Sequence, residues 1–391
     1  MVKQASSASV ALLESLISFP SVSRQPNIGL IHAIRDLLAG AGIEALLAPD
    51  PDDPSRTNLF ASVGPADVPG VLLSGHTDVV PVEGQPWTSD PFEATHRDGR
   101  IYGRGAADMK GFVACGVTAM LAAARRPLKR PLQIALSFDE EIGCVGVRHL
   151  LRKLEGTLVP PHLCIVGEPT LMRIGTGHKG KAAYRALCCG QAGHSGLAPR
   201  FFNAVHMASD LVASVRDVQR ELSQTGPREE GYGVPYTTVH VGMIHGGRAL
   251  NIVPSECEVS FEIRNVSQDS PEQVLGRILE RLTERVHQEA LHPDAPLPQI
   301  ELTNSYPSLS TPEDSPGVRL LASLLPAGTP CTKVDYGSEG GLFKRSWSDT
   351  PVIVCGPGSI EVAHKADEYV ELEQLEACDR MLAGLVDFLC C

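Results

Sequence analysis

Leu132-Gln133-Ile134-Ala135-Leu136-Ser137-Phe138 runs straight into Asp139-Glu140-Glu141. The apolar run has the length and content of a strand buried on both faces. Residues 58–63, 70–74 and 162–166 have the same character. Gly- and Pro-rich loops separate these runs, and residues 111–124 and 145–154 carry helical patterns. Doubly buried strands interleaved with helices argue an α/β domain with a mostly parallel sheet. Open sheets of that class place their sites at the C-terminal ends of the strands. Glu140 and Glu141 therefore stand where chemistry is expected.

Working outward, residues 8–40 read as a helix, a break near Pro20 and a second helix over 28–38. The texture changes after Gly177-His178-Lys179-Gly180. Residues 181–190 alternate like a strand, 203–222 look helical, and 237–244 and 256–264 alternate again. A helix over 271–288 and a strand over 299–305 follow. That β-α-β-β-α-β order is the ferredoxin-like pattern of a small α+β domain. From about residue 311 the first texture returns, with a strand at 351–355 and a last helix over 371–389. The expected organisation is a catalytic domain in two parts, 1–180 and 307–391, interrupted by an inserted domain at 181–306.

At 391 residues the chain is long enough for two domains. Its 43% hydrophobic and 20% charged content suits a soluble globular protein. A net charge of −12 argues against nucleic acid or an anionic membrane as partner. No uninterrupted apolar stretch approaches the ~20 residues of a membrane span. Residues 1–6 lead into an amphipathic segment rather than a secretory leader, so a cytoplasmic location is expected. The eleven cysteines never form Cys-x-x-Cys with a second pair, and free buried thiols are the better reading.

Further polar residues stand at or just after strand ends. His76-Thr77-Asp78 follows Val71-Leu72-Leu73-Ser74-Gly75, Glu168 follows Ile165-Val166-Gly167, and His364 follows a Gly-Pro-Gly loop. Asp108 precedes the helix at 111–124. Each has a plain alternative: a surface pair for His76 and Asp78, an N-cap for Asp108, a solvated acidic loop for Glu140 and Glu141. Together they make a metal set. If Asp108 bridges, one ion takes His76, Asp108 and Glu168, and the other takes Asp108, Glu141 and His364. Each keeps an open position, as a catalytic site requires. Two ions so placed lower the pKa of a water and polarise a carbonyl. Adjacent Glu140 is left to accept the water's proton, with Asp78 orienting His76. Donors of this kind favour zinc, with cobalt or manganese also suited, over magnesium.

Six ordered motifs carry a resemblance. They are Ser74-Gly75-His76-Thr77-Asp78, Gly103-Arg104-Gly105-Ala106-Ala107-Asp108-Met109-Lys110-Gly111, Asp139-Glu140-Glu141-Ile142-Gly143, Val166-Gly167-Glu168-Pro169-Thr170, Gly193-His194-Ser195 and Ala363-His364-Lys365. Across essentially the whole chain the sequence resembles the zinc aminoacylase/carboxypeptidase family. The resemblance implies a two-zinc catalytic domain with an inserted lid that often dimerises. It assigns the metal roles above, makes Glu140 the general base, and implies a cis Asp108-Met109 peptide. It makes His194 an oxyanion donor, and gives the substrate's α-carboxylate to Arg264 and Asn251. For Arg264 the alternative is a salt bridge on the lid surface.

Tyr336-Gly337-Ser338-Glu339-Gly340-Gly341-Leu342-Phe343 resembles the corresponding loop of the family's acetylornithine deacetylases. Ser338 and Gly340 replace the more usual Thr and Ala. Glu339 is thereby offered to the substrate's side-chain ammonium, with a structural hydrogen bond as the alternative. The expectation is an N-acyl-amino-acid amidohydrolase acting on N-acetyl-ornithine, homodimeric through the lid. A desuccinylase, another acyl-amino-acid deacylase or a dipeptidase would share the mechanism. A non-catalytic binding relative would lack a ligand or the base, and all are present.

Overall fold

The computed structural model describes residues 8–288 and 296–391. The reading of residues 1–6 lies outside the described residues. The chain forms two compact units. One comprises Met1–Gly177, Leu309–Val334 and Ser338–Cys391, and the other His178–Ser308 with Asp335–Gly337.

In the first unit a mixed sheet runs in the order Ala45–Pro49, Thr57–Val63, Leu132–Ser137, Val71–His76, Leu163–Val166, Val352–Val354, Ile174–His178, Leu309–Ser310. The four strands from Leu132–Ser137 to Val352–Val354 run parallel to one another. They are buried along their whole length, as parallel strands covered on both faces must be. Antiparallel strands flank them on each side. Helices Ala8–Ile17, Ile28–Gly40, Gly111–Ala123 and Leu372–Leu389 share one apolar core with this sheet. By length and composition Ala106–Ala123 is apolar enough to cross a membrane, but 83% of it is buried inside the unit.

Register decides where the loops emerge. His76 lies opposite Ser137, Ser74 opposite Val166, and Val166 opposite Val354. The parallel strands therefore end together, and the turns that follow release Asp78, Glu140, Glu141 and Glu168 at one edge. Gly167 is needed there, because a β-carbon would lie 1.9 Å from the Phe112 ring. Strand Ala45–Pro49 and the small sheet of Thr95–Arg97, Arg100–Tyr102 and Tyr369–Glu371 add elements that the periodicity does not announce.

The second unit has a four-stranded antiparallel sheet in the order Thr238–Gly246, Glu256–Asn265, Gly180–Cys189, Gln299–Tyr306. Numbered along the chain this is 2-3-1-4, the ferredoxin-like order. Alternate residues supply the core: Ala182, Tyr184, Ala186 and Cys188 on one strand, Cys257, Val259, Phe261 and Ile263 on the next. Helices Ala204–Thr225 and Pro271–Gln288 complete it, with Leu211, Val218, Ile278 and Leu282 fully buried. The Asn203 side chain accepts from the Val205 and His206 amides, which starts the first helix. Asp335–Gly337, separate in sequence, belongs here: Asp335 accepts from the Gly233 amide at 3.2 Å, and a β-carbon on Gly337 would strike the Tyr306 ring.

Candidate metal centre

His76 is the last residue of its strand and is 1% exposed. Its Nδ1–H donates to the Asp78 carbonyl oxygen at 2.9 Å, which leaves Nε2 facing Asp108 Oδ1 at 3.0 Å. The Asp78 carboxylate lies 3.6 Å from Nδ1. It accepts from the backbone N–H of Glu140 at 2.9 Å and of Glu141 at 3.3 Å, and from Ser23 Oγ at 2.8 Å. Orientation of His76 thus comes from the Asp78 main chain, while the Asp78 side chain ties down the neighbouring strand's turn.

Asp108 is not a helix cap. Its backbone is non-helical, at φ −122° and ψ 95°, and Lys110 stands at the cap position of Gly111–Ala123. One carboxylate oxygen meets His76, and the other lies 3.3 Å from His364 Nε2. A bridging ligand needs this division. The Asp108–Met109 peptide is cis. Glu368 supports the turn from below. It pairs with Arg104 at 2.7 Å and accepts from the amides of Gly105, Ala107 and Asp108, each at 3.0 Å.

His364, in the left-handed region at φ 62°, is half-exposed and stands 3.0 Å from Glu141 Oε2. Glu168 is 3% exposed. His76, Asp108 and Glu168 place one donor atom each within 4.8 Å of one another, and so do Asp108, Glu141 and His364. Two triads sharing Asp108 result.

Burial pushes the Glu168 and Glu140 carboxyls well up from the ordinary range, and neighbouring carboxylates add to this. Burial, then the Asp108 charge, raises Glu141 to about 7. Burial also opposes ionisation of Asp108, yet His364 and His76 outweigh it and hold Asp108 below its usual value. Hydrogen bonds to Asp108 and Glu141 raise His364 to about 10. Burial works against a charged His76, but Asp108 beside it raises it well above 6.5. An anionic cluster so strongly paired with both imidazoles is chemically fitted to divalent cations.

Of the two roles open to Glu339, the hydrogen bond is displayed: Ser74 Oγ donates to its Oε2 at 3.0 Å, and the residue is 1% exposed. In the second unit His194 Nδ1 accepts from the Gly196 amide at 3.1 Å. The neutral ring then carries its proton on Nε2. Asn251 is exposed, and its carbonyl oxygen accepts from the Ser195 amide at 3.1 Å, beside His194. Arg264 makes the salt bridge, donating to Glu262 at 2.9 Å and also to Tyr306 at 2.7 Å.

Glu368 and Ser74 carry structural weight that sequence reasoning missed. Both partners of the Arg104–Glu368 pair are 1% exposed. An invisible long-range contact underlies each, and the one available signal was Asp367-Glu368-Tyr369 following His364.

Residues 72–387 match peptidase family M20/M25/M40. The chain is 32% identical to an acetylornithine deacetylase of Photorhabdus laumondii and 33% identical to one of Klebsiella pneumoniae. Each comparison covers 97% of both sequences. In fold it is similar to an M20 family metallo-carboxypeptidase from Sulfolobus solfataricus, with a TM-score of 0.77, 18% identity, and 97% of this chain and 99% of that one covered. The family match spans residues 72–387, well over half of the chain, so this chain belongs to peptidase family M20/M25/M40 and is a metallohydrolase.

Proposed function

We propose that the enzyme hydrolyses N2-acetyl-L-ornithine to L-ornithine and acetate, a cytoplasmic step of arginine synthesis. The observation that carries the reaction class is the pair of triads sharing Asp108, with Glu140 alongside. The similarity to acetylornithine deacetylases, at 32–33% identity, supports the substrate.

His76, Asp108 and Glu168 would hold one divalent ion, and Asp108, Glu141 and His364 the other, zinc suiting these donors best and cobalt or manganese next. When bound, such a pair supplies a water of lowered pKa and polarises the acetyl carbonyl. Glu140 takes the proton of the water that attacks the acetyl carbon, then returns it to the ornithine amine as the C–N bond breaks. Its carboxyl, pushed by burial above the ordinary carboxylate range, suits a group that must both accept and release a proton. Asp78 holds the Glu140 and Glu141 backbone in register. His194 offers Nε2–H to the oxygen that gains charge. Asn251 and Arg264 take the α-carboxylate, the arginine through the N–H groups of its planar fork that Glu262 and Tyr306 do not use. Glu339, buried and bonded to Ser74, serves as a structural acceptor rather than as a partner of the substrate's ammonium. The second unit serves as an inserted lid.

Amine release from N-acetyl-ornithine, N-acetyl-methionine, N-succinyl-diaminopimelate and a glutamate-ended dipeptide tests the substrate. A clear kcat/KM preference for acetyl-ornithine is expected. Preference for the succinylated compound or the dipeptide would overturn the substrate and leave the metal centre standing.

A further inference from the structure

Cys144 lies in the turn that follows Glu140, three positions after Glu141. The Glu140 carbonyl oxygen accepts from the amides of Gly143 at 2.7 Å and Cys144 at 2.8 Å, which folds the turn back on itself. Cys144 is fully buried, and its Sγ donates to Glu140 Oε1 at 3.2 Å. Its backbone is left-handed, at φ 55°. Glycine adopts that conformation more cheaply than any residue with a β-carbon. A side chain kept in such a position is a reason to look for its use. Burial and the nearby Glu140 carboxylate push the thiol well up, so it stays protonated and donates.

We infer that Cys144 is a positioning residue for the reaction, its S–H fixing one oxygen of the Glu140 carboxylate so that the other faces the water. A carboxylate on a three-bond side chain is otherwise free to rotate about its last torsion. Anchoring Oε1 removes that freedom at the moment of proton transfer. A hydroxyl at the same place would donate equally well, whereas a methyl group would not. This rests on Glu140 acting as the base.

The test uses the full-length, metal-loaded enzyme with Cys144→Ala and Cys144→Ser. Infrared difference spectra of wild type minus Cys144→Ala isolate the S–H stretch of this one thiol. Glu140→Gln is then introduced to weaken the acceptor. The band is expected below the frequency of thiols without acceptors, and to rise in the Glu140→Gln background. In turnover, Cys144→Ala should lower kcat about threefold to tenfold with KM and metal content unchanged, and Cys144→Ser should recover most of it. A band that ignores Glu140→Gln overturns the contact. Wild-type kcat in Cys144→Ala, or equal losses in Ala and Ser, overturns the positioning role. Should the wild type hydrolyse no acyl-amino acid, the functional reading fails by itself, and the infrared band alone decides whether Cys144 holds Glu140.

Discussion

Glu140 and its neighbour Glu141 have different partners: Glu141 lies 3.0 Å from the His364 imidazole, whereas Glu140 accepts from the Cys144 thiol at 3.2 Å. Glu140→Gln preserves shape and removes basicity. It should lower kcat by about 10²–10⁴-fold while the metal content measured by atomic emission stays at the wild-type level. Glu339 supplies a second residue-scale prediction. If it is structural, Glu339→Gln leaves KM for acetyl-ornithine within about twofold, since its amide still accepts from Ser74; a large rise in KM with unchanged kcat would return it to the substrate. The clustering of the candidate donors was legible because each stands in a short motif at or near a strand exit, where the parallel strands end together. The role of Glu339 was not, because its partner Ser74 is 265 positions away and no local pattern links them.

The Gly105–Lys110 turn is the element on which both triads depend, and Glu368 holds it by three amides and the buried Arg104. Glu368→Ala leaves those amides without their acceptor and the buried guanidinium without its counter-charge, with only Gln85 and the Lys365 carbonyl oxygen still accepting from it. The loss should be about 3–5 kcal/mol in stability, read from urea unfolding, with metal affinity weakened about 10–100-fold. Unchanged unfolding would mean water replaces the carboxylate fully. At this scale helices and central strands were plain in the sequence, through apolar periodicity and continuous buried runs. Three-residue strands such as Thr95–Arg97 and Tyr369–Glu371 carry too few residues for a period to show, and Asp335–Gly337 joins the second unit by contacts that no periodicity encodes.

For the molecule as a whole, the second unit's sheet leaves Thr238–Gly246 at one edge, with Met243 54% and Ile244 50% exposed. An exposed apolar edge is a pairing surface, and we propose that two chains meet there. Sedimentation should give about twice 41.8 kDa, and Met243→Lys with Ile244→Lys should halve it; a monomeric wild type would contradict this. The measurement that bears most directly on the central claim is metal stoichiometry after dialysis. Two ions per chain are expected for the wild type, about one for His364→Ala, and neither held tightly by Asp108→Ala, since both triads use that carboxylate. One ion or none in the wild type, or two retained without Asp108, would contradict a shared two-metal centre.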